Sequence, residues 1–475
     1  MEMTVTPPLN APPPATAWGE AGALFRLAGP LVGANLLQMA IAAVDVVFAA
    51  HLGSRALAAA TLGAYFFNIL NYALIGLCGA AAPLIAAELG RRAHAVREVR
   101  RSFRMAFWVG MAFSVAAMLL LSQGERLFLL ARQDPDVSRQ AGDFLDVILW
   151  GMPLAVAAGV MRTASAALGR PGWVFVVTGF ALALDIVGNW AFVFGHLGFP
   201  AMGLRGSALA NDLAFAAIAL AYVAILLWDR RLRRFRLFGR WWEFEKARAG
   251  EIVRLGLPIA ATWIFEAGLF AGAAILMGLI GVADVAAHAV ALNIAAVAFQ
   301  IPFGIAQAAT IRVGLAFGAR DRIWIARAGW VALVAGIGIM GLSAIIMWAV
   351  PGRLVAAYID PADPQNALVA GLAMRFLAVA AVFQLVDGAQ AVAAGVLRGL
   401  QDTRVPMVIA LLGYWVAGFG TSILLGFATP MAGVGIWWGL AIGLFVVAVL
   451  LMSRWGMRAR LGLIPAAPDR AAIAA

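Results

Sequence analysis

The chain has 475 residues, of which 64% are hydrophobic and 12% are charged, and its formal net charge at pH 7 is +11. In soluble domains about a quarter of the residues are charged, so this composition excludes a soluble globular protein and indicates a membrane protein. The positive charges are almost all arginines in short loops between apolar runs, a pattern typical of membrane topology and not of nucleic-acid binding.

About twelve apolar runs follow one another along the chain, and each is long enough to cross the hydrocarbon core of a bilayer as an α-helix. The predicted spans are 27–50, 57–82, 102–122, 143–168, 173–196, 203–228, 254–281, 285–310, 326–350, 367–397, 405–428 and 432–453. The sequence therefore predicts an all-α integral membrane protein whose surroundings are the lipid bilayer.

The segments outside these spans predict the orientation of the chain. Residues 1–25 are Pro-rich and nearly uncharged, and we expect a disordered cytoplasmic tail there. Arg-rich loops, including a basic linker at 229–250, follow even-numbered spans, so both termini and the tail 461–475 are expected in the cytoplasm. Lys246 is the only lysine in an Ala- and Arg-rich chain, which is typical of a GC-rich bacterial genome and predicts a bacterial inner membrane.

The chain also repeats itself. Pro30 and Pro258 lie in similar surroundings, and their offset (258 − 30 = 228) aligns further Gly and Arg residues without a gap. The repeat predicts an N-lobe at 26–228 and a C-lobe at 251–460, each a bundle of six helices. Because six is even, both copies share one orientation and are related by a pseudo-twofold axis along the membrane normal. Such repeats are typical of transporters that rock one half against the other. Because both halves lie in one chain, we expect the protein to work as a monomer.

Four acids lie inside apolar segments, two in each half: Asp45, Asp185, Glu266 and Asp387. A buried carboxylate is costly unless it has a partner or a function. Asn189 follows Asp185 by one helical turn and shares its face. We interpret these five residues as a set that binds a monovalent coupling cation, Na⁺ or H⁺. The alternative is that the acids only hold helices together through hydrogen bonds.

Uncharged polar residues accompany the acids and predict a substrate cavity. Asn293, Gln300 and Gln307 recur every seven residues and form one stripe on their helix. The residues expected to line the cavity are Gln38, Tyr65, Asn68, Tyr72, Asn293, Gln300, Gln307, Phe383, Gln384 and Gln390. Hydrogen bonding between helices is the alternative role for each of them.

The sequence carries no nucleotide-binding or catalytic motif. Walker A, dinucleotide, HExxH and GxSxG patterns are absent, the four histidines are scattered, and Cys78 is the only cysteine. We therefore expect no enzyme, no metal site and no cofactor, with energy taken from an ion gradient. An alternative is a flippase for lipid-linked oligosaccharides or peptidoglycan precursors, which would need arginines deep in the cavity. A membrane-embedded enzyme would need an Asp-rich metal motif or larger loops.

Several motifs resemble the multidrug and toxic compound extrusion (MATE) family, and specifically its NorM-type branch. They are "VDVVFAAHLG" in span 1, "FEAGLFA" in span 7 and "FQLVDGAQAVAAGVLRGLQDTRVP" in span 10. The resemblance covers about residues 22–460 and implies the MATE/MOP-type fold. It also implies an antiporter that exports cationic or amphipathic drugs in exchange for Na⁺ or H⁺.

The family's essential acids correspond to Asp45, Glu266 and Asp387, of which the first would bind a cation in the N-lobe and the other two in the C-lobe. Two departures from the NorM pattern bear on the coupling ion. Phe383 stands where a tyrosine is usual, one turn before Asp387, and offers no hydroxyl to a cation. Asp185 stands where asparagine is frequent, which resembles the N-lobe carboxylate site of the family's other prokaryotic branch. Both departures make proton coupling credible.

Overall fold

The computed structural model describes residues 14, 16–91, 95–360 and 363–464, and nearly all of them are helical. The helices are α1 (Ala17–His51), α2 (Ser54–Gly79), α3 (Ala81–Arg91), α4 (Ala95–Leu121), α5 (Gly124–Leu130), α6 (Pro135–Ile148), α7 (Gly151–Ala167), α8 (Pro171–Phe194), α9 (Leu204–Trp228), α10 (Lys246–Ile280), α11 (Val282–Gly318), α12 (Arg322–Ala349), α13 (Pro351–Ala356), α14 (Ala367–Gly399), α15 (Arg404–Leu411), α16 (Gly420–Phe427) and α17 (Ala432–Gly456). A 3₁₀ turn spans Arg233–Phe235, and a π-helical segment, Leu412–Phe419, joins α15 to α16.

The prediction of an all-helical membrane protein with about twelve spans is confirmed. In the described part of the chain, 11 helices are long and apolar enough to cross a membrane, or 12 if α6 and α7 form one bent span. Helices α2 and α3 count as one such span, as do α15, the π-helical segment and α16. No span is assigned to the short helices α5 and α13.

The fourth predicted span, 143–168, is broken in the structure. Helices α6 and α7 meet at an angle of 53° between Ile148 and Gly151. Pro153 explains the break, because proline lacks a backbone N–H and disfavours helical geometry in the residue before it. The break turns the N-terminus of α7 toward α9, where Gly151 approaches the carboxylate of Asp212 so closely that a side chain could not be added.

The chain divides into two compact units whose boundaries differ from those of the predicted lobes. The described residues of the first unit are Gly33–Ala260, and those of the second lie within Ala11–Val32 and Ala261–Ala475. The start of α1 therefore packs with the second unit, and the start of α10 packs with the first. Pro30 and Pro258 lie within these two helices, close to the points at which they pass from one unit to the other.

The expected disordered tail, residues 1–25, is wrong in its last part, because α1 already begins at Ala17. Residues 1–13 and 15, like residues 465–475 of the C-terminal tail, lie outside the described part of the chain. Glu20 holds the start of α1 in the second unit. Its carboxylate is fully buried and accepts hydrogen bonds of 2.7 and 2.6 Å from Arg312 and one of 3.1 Å from the indole of Trp324.

The linker expected at 229–250 is packed on the first unit, and α10 begins within it at Lys246. Glu245 accepts hydrogen bonds from Arg101 and Arg104 of α4, both at 2.6 Å. The ring of Trp241 packs among aromatic residues of α4, and its centroid lies 4.8 Å from that of Phe107. The arginines of α4 are thus ion-pair partners and not only a topology signal.

Replacing Glu20 by Gln should lower the melting temperature of the purified protein. The variant leaves Arg312, which is only 12% exposed, without its counter-charge, and removing one partner of a buried ion pair costs about 3–5 kcal/mol. The matched control is Asp136→Asn, which breaks an exposed pair with Arg139 and should cost less than about 1 kcal/mol. Equal melting temperatures for the two variants would contradict the anchoring role of Glu20.

The ion pairs of Glu245 should make stability depend on pH. The hydrogen bond from Arg101, aided by the charges of Arg101 and Arg104, holds the pKa of the Glu245 carboxyl below its ordinary value of 4.5. A carboxyl whose pKa is lowered by folding stabilises the folded state at pH values above its ordinary pKa. This contribution is lost as the pH falls through the lowered pKa. The melting temperature of Glu245→Gln should therefore lie below that of the wild type at pH 7, and the gap should shrink below pH 4.5. A gap that stays constant down to pH 3 would count against this pairing.

Candidate functional site

The first unit brings Asp45, Asp185 and Asn189 together, as the sequence predicts. Asn189 of α8 donates its amide Nδ2–H to Asp45 Oδ1 of α1 at 3.1 Å and to Asp185 Oδ1 at 3.2 Å. Asp185 and Asn189 are fully buried. Two carboxylates thus share one neutral donor, and their mutual repulsion is relieved when a proton or a metal cation binds.

Asn211 of α9 completes this cluster, and sequence reasoning missed it. Its Nδ2 lies 3.1 and 3.2 Å from the two carboxylate oxygens of Asp45. The neighbouring acid, Asp212, does not join the cluster, because its carboxylate faces Gly151 at the break before α7. No signal in the sequence distinguishes Asn211, because its partner lies on another helix.

Two oxygens of the first-unit cluster remain without a donor. Asp185 Oδ2 and Asn189 Oδ1 are both buried and accept no hydrogen bond from any described residue. Buried acceptors are normally satisfied, so these two unpaired oxygens could accept a cation or a proton. Negative charge and free oxygens are the two properties that such a ligand requires.

The second unit brings Glu266, Asp387 and Gln390 together. Gln390 of α14 directs its amide Nε2 at Glu266 Oε1 of α10, 3.4 Å away, and at Asp387 Oδ1, 3.3 Å away. Asp387 and Gln390 are each only 4% exposed. This cluster repeats the principle of the first, since two carboxylates again share one amide donor.

Tyr414 is the residue of the second-unit cluster that sequence reasoning missed. Its buried hydroxyl donates to Gln390 Oε1 at 2.8 Å. It lies on the π-helical segment Leu412–Phe419, and such segments are frequent at functional sites because they re-aim side chains within a span. A hydroxyl is thus present in this cluster, although it comes from the following span and not from position 383.

Phe383 and Gln384 were expected to line the substrate cavity, but both are packed inside the second unit in this conformation. The ring of Phe383 lies between those of Phe270 and Trp437, at 6.0 and 5.7 Å between centroids. Gln384 donates to the carbonyl of Ala295 in α11 at 2.9 Å. Their burial accords with the alternative role of joining helices to one another.

Gln390 lies in the second-unit cluster, and the remaining residues expected in the cavity are exposed or half-buried. Gln38 accepts a hydrogen bond of 2.9 Å from Arg162 of α7. Tyr65 and Tyr72 are exposed, as is Asn293, whereas Asn68, Gln300 and Gln307 are half-buried. Gln300 bonds back to the carbonyl of Ala296 at 3.2 Å. Cavity lining remains a prediction for this group.

An all-helical membrane chain with two repeated halves, each enclosing paired carboxylates and no catalytic motif, has the architecture of a secondary transporter. The model of the MatE family matches residues 30–191 and again residues 258–424, which together exceed half of the chain. The two matches begin at Pro30 and Pro258, at the offset of the internal repeat. The chain therefore belongs to the MatE family, and it is a membrane transporter and not an enzyme.

Relatives from bacteria agree with this assignment. A probable multidrug resistance protein NorM from Mesorhizobium japonicum is 44% identical over 442 residues, which cover 93% of this chain and 95% of the relative. A protein of the same name from Brucella suis is 42% identical over 442 residues, covering 93% and 94%. Both are similar along nearly the whole chain, so the resemblance to NorM-type members is confirmed.

Solved structures agree on the fold. The crystal structure of a eukaryotic MATE transporter matches with a TM-score of 0.80 at 20% identity, covering 94% of this chain and 99% of that one. At this identity the likeness establishes the fold alone. The MATE-type fold that the sequence motifs imply is therefore confirmed.

Replacing Tyr414 by Phe should destabilise the second unit. The variant leaves the buried Gln390 Oε1 without its donor, and an unsatisfied buried acceptor costs about 1–3 kcal/mol. Thermal unfolding of purified Tyr414→Phe, compared with Tyr358→Phe at an exposed position, measures this effect. An unchanged melting temperature in Tyr414→Phe would mean that the hydroxyl contributes nothing to the cluster.

Proposed function

We propose that the chain exports cationic or amphipathic organic compounds, including drugs, in exchange for a small cation. The observation that carries this proposal is the presence in each unit of two carboxylates that share a neutral amide donor. An organic cation and a small cation would compete for the same negative charge, which couples the binding of one to the release of the other. The names of the relatives, which describe multidrug resistance, support this class of substrate.

In the first unit, we assign cation binding to Asp45, Asp185 and Asn189, and we add Asn211. The unpaired oxygens Asp185 Oδ2 and Asn189 Oδ1 are available as ligands. The amides of Asn189 and Asn211 support Asp45 without neutralising it. The negative charge of this cluster therefore remains available to either Na⁺ or H⁺.

In the second unit, the contacts favour a proton over Na⁺. Hard metal cations need several oxygen ligands at once. Gln390 presents its N–H to Glu266 and Asp387, while its own oxygen is occupied by Tyr414. The amide oxygen and the hydroxyl are thus bonded to each other and not aimed at the acids. A proton needs only one carboxylate oxygen, and we propose that Glu266 and Asp387 share it.

We further propose that the chain works as a monomer in the bacterial inner membrane, with both termini in the cytoplasm. The Arg-rich loops that follow even-numbered spans support this orientation. Both repeats lie in one chain, so alternating access requires no second copy. The exposed or half-buried residues Tyr65, Asn68, Tyr72, Asn293 and Gln307 remain our candidates for contact with the substrate.

Efflux from cells that express the chain tests this function. Ethidium export should follow the proton gradient, persist without Na⁺, and fall in Asp45→Asn and in Asp387→Asn, because each variant removes a negative charge from one cluster. The double variant should abolish export, while Asp136→Asn, which alters an exposed acid, should export normally. Normal export by the double variant would defeat the mechanism, and a requirement for Na⁺ at constant pH would overturn the assignment of the proton.

A further inference from the structure

Arg162 is a charged residue of α7 that the proposed transport mechanism does not use. Its guanidinium donates to Gln38 Oε1 at 2.9 Å and to Asn35 Oδ1 at 2.7 Å, both on α1. These acceptors are neutral amides. Arginine stays protonated in proteins, so the positive charge at this position is permanent.

No acid compensates this charge within the described residues. Arg162 takes part in none of the ion pairs found there, and the ionisable groups that act on it electrostatically are Tyr72 and Tyr222. Both are neutral phenols near pH 7. A guanidinium within a membrane span normally has a carboxylate or another anion beside it, because an uncompensated charge is costly there.

Hydrogen-bond donors without partners surround the guanidinium. Asn35 uses its oxygen for Arg162, and its buried Nδ2 donates to no described residue. The hydroxyl of Tyr222, which is 1% exposed and within electrostatic range of Arg162, also lacks a partner among the described residues. A permanent cation with two spare donors nearby offers what a carboxylate group accepts. Gln38 and Tyr72 are exposed, so the group can be approached from the surface of the first unit.

The other half of the chain has an acid within electrostatic range of a similar arginine. The segment "VLRGLQDTRVPM" (396–407) resembles "VMRTASAALGRPG" (160–172), which makes Arg398 of α14 the counterpart of Arg162. Arg398 interacts electrostatically with Glu266. At the offset of 228, Glu266 corresponds to position 38 (266 − 228 = 38), where this chain has Gln. The repeat thus keeps the arginine in both halves but replaces its acid by an amide in the first. The counter-charge that the fold omits must come from elsewhere.

The position of Arg162 relative to the acids indicates which kind of molecule supplies its counter-charge. Gln38 and Asp45 are seven residues apart on one face of α1, which places them about 10 Å apart along the helix at a rise of about 1.5 Å per residue. A positive group and a negative cluster are therefore presented along one helix face. This arrangement is complementary to an amphipathic zwitterion.

We propose that Arg162, with Asn35 and Tyr222, forms an anion subsite that binds the carboxylate of zwitterionic amphipathic substrates. The ammonium of the same molecule is attracted to Asp45 and Asp185. The subsite rests on the proposed export function and names the residues that would recognise the carboxylate of such a substrate. Arg162 is in this view a residue that determines specificity.

Binding of a matched pair of ligands to the purified protein tests the subsite. One ligand is a fluoroquinolone with a free carboxylate and a basic amine, and the other is its methyl ester, which keeps the amine. Arg162→Gln should weaken binding of the acid by about tenfold to a hundredfold, the range for loss of a charge-assisted hydrogen bond. The ester should lose less than about threefold, since loss of neutral contacts costs less than loss of an ion pair.

Gln38→Glu provides a second variant that keeps the arginine. It restores the acid found at Glu266 and should neutralise Arg162, so binding of the fluoroquinolone acid should again fall more than that of its ester. Arg139→Gln, at an exposed position, is the control and should change neither affinity. This comparison measures binding and does not depend on export. If wild-type cells export neither ethidium nor the acid, that result would defeat the export function and leave the test of the subsite unaffected.

Three results would overturn the subsite. Equal losses for acid and ester in Arg162→Gln would show that the arginine only joins α7 to α1. Unchanged affinity for both ligands in both variants would show that no anion binds there. Binding of phosphatidylglycerol that is lost in Arg162→Gln, while binding of the acid is retained, would assign the site to a lipid headgroup.

Discussion

Carboxylates among apolar helices need hydrogen-bond donors, and in the two acid clusters of this protein the donors are neutral. Asn189 serves Asp45 and Asp185, and Gln390 directs its amide at Glu266 and Asp387. An amide satisfies a carboxylate oxygen without neutralising its charge. An arginine in the same place would have removed the attraction for other cations, whereas the amide leaves it available to a proton, a sodium ion or an organic ammonium group.

Compensated charges have a different role and a different place in the fold. Glu20 is bound by Arg312 at the start of α1, and Arg248 is bound by Glu88 at 3.1 Å near the start of α10. Positions 20 and 248 correspond in the repeat (248 − 228 = 20), yet they carry opposite charges, and each finds its partner within its own unit. Paired arginines and acids thus hold the beginnings of the long helices, while we propose that the unpaired charges bind ligands. Arg162 belongs to the second kind.

Reasoning from the sequence found the four acids of the two clusters but only part of their surroundings. A carboxylate in an apolar run stands out because its burial is costly, and the amides one turn away on the same helix follow from helical spacing. Asn211 and Tyr414 were missed, because a neutral polar residue costs little in a membrane helix and its partner lies on another helix. Phe383 was expected to line the substrate cavity, but the structure places its ring between those of Phe270 and Trp437.

The sequence by itself determined that the chain spans a membrane about twelve times, that its halves are copies, and which four carboxylates lie inside apolar segments. These are properties of one helix at a time, since hydropathy, span length and periodicity are read along a single segment. Only the tertiary structure decided that Gln390 meets Tyr414, that Asn211 meets Asp45, and that Arg162 meets two amides of α1. Each of these contacts depends on the rotation and axial position of two helices, which no pattern within either helix specifies.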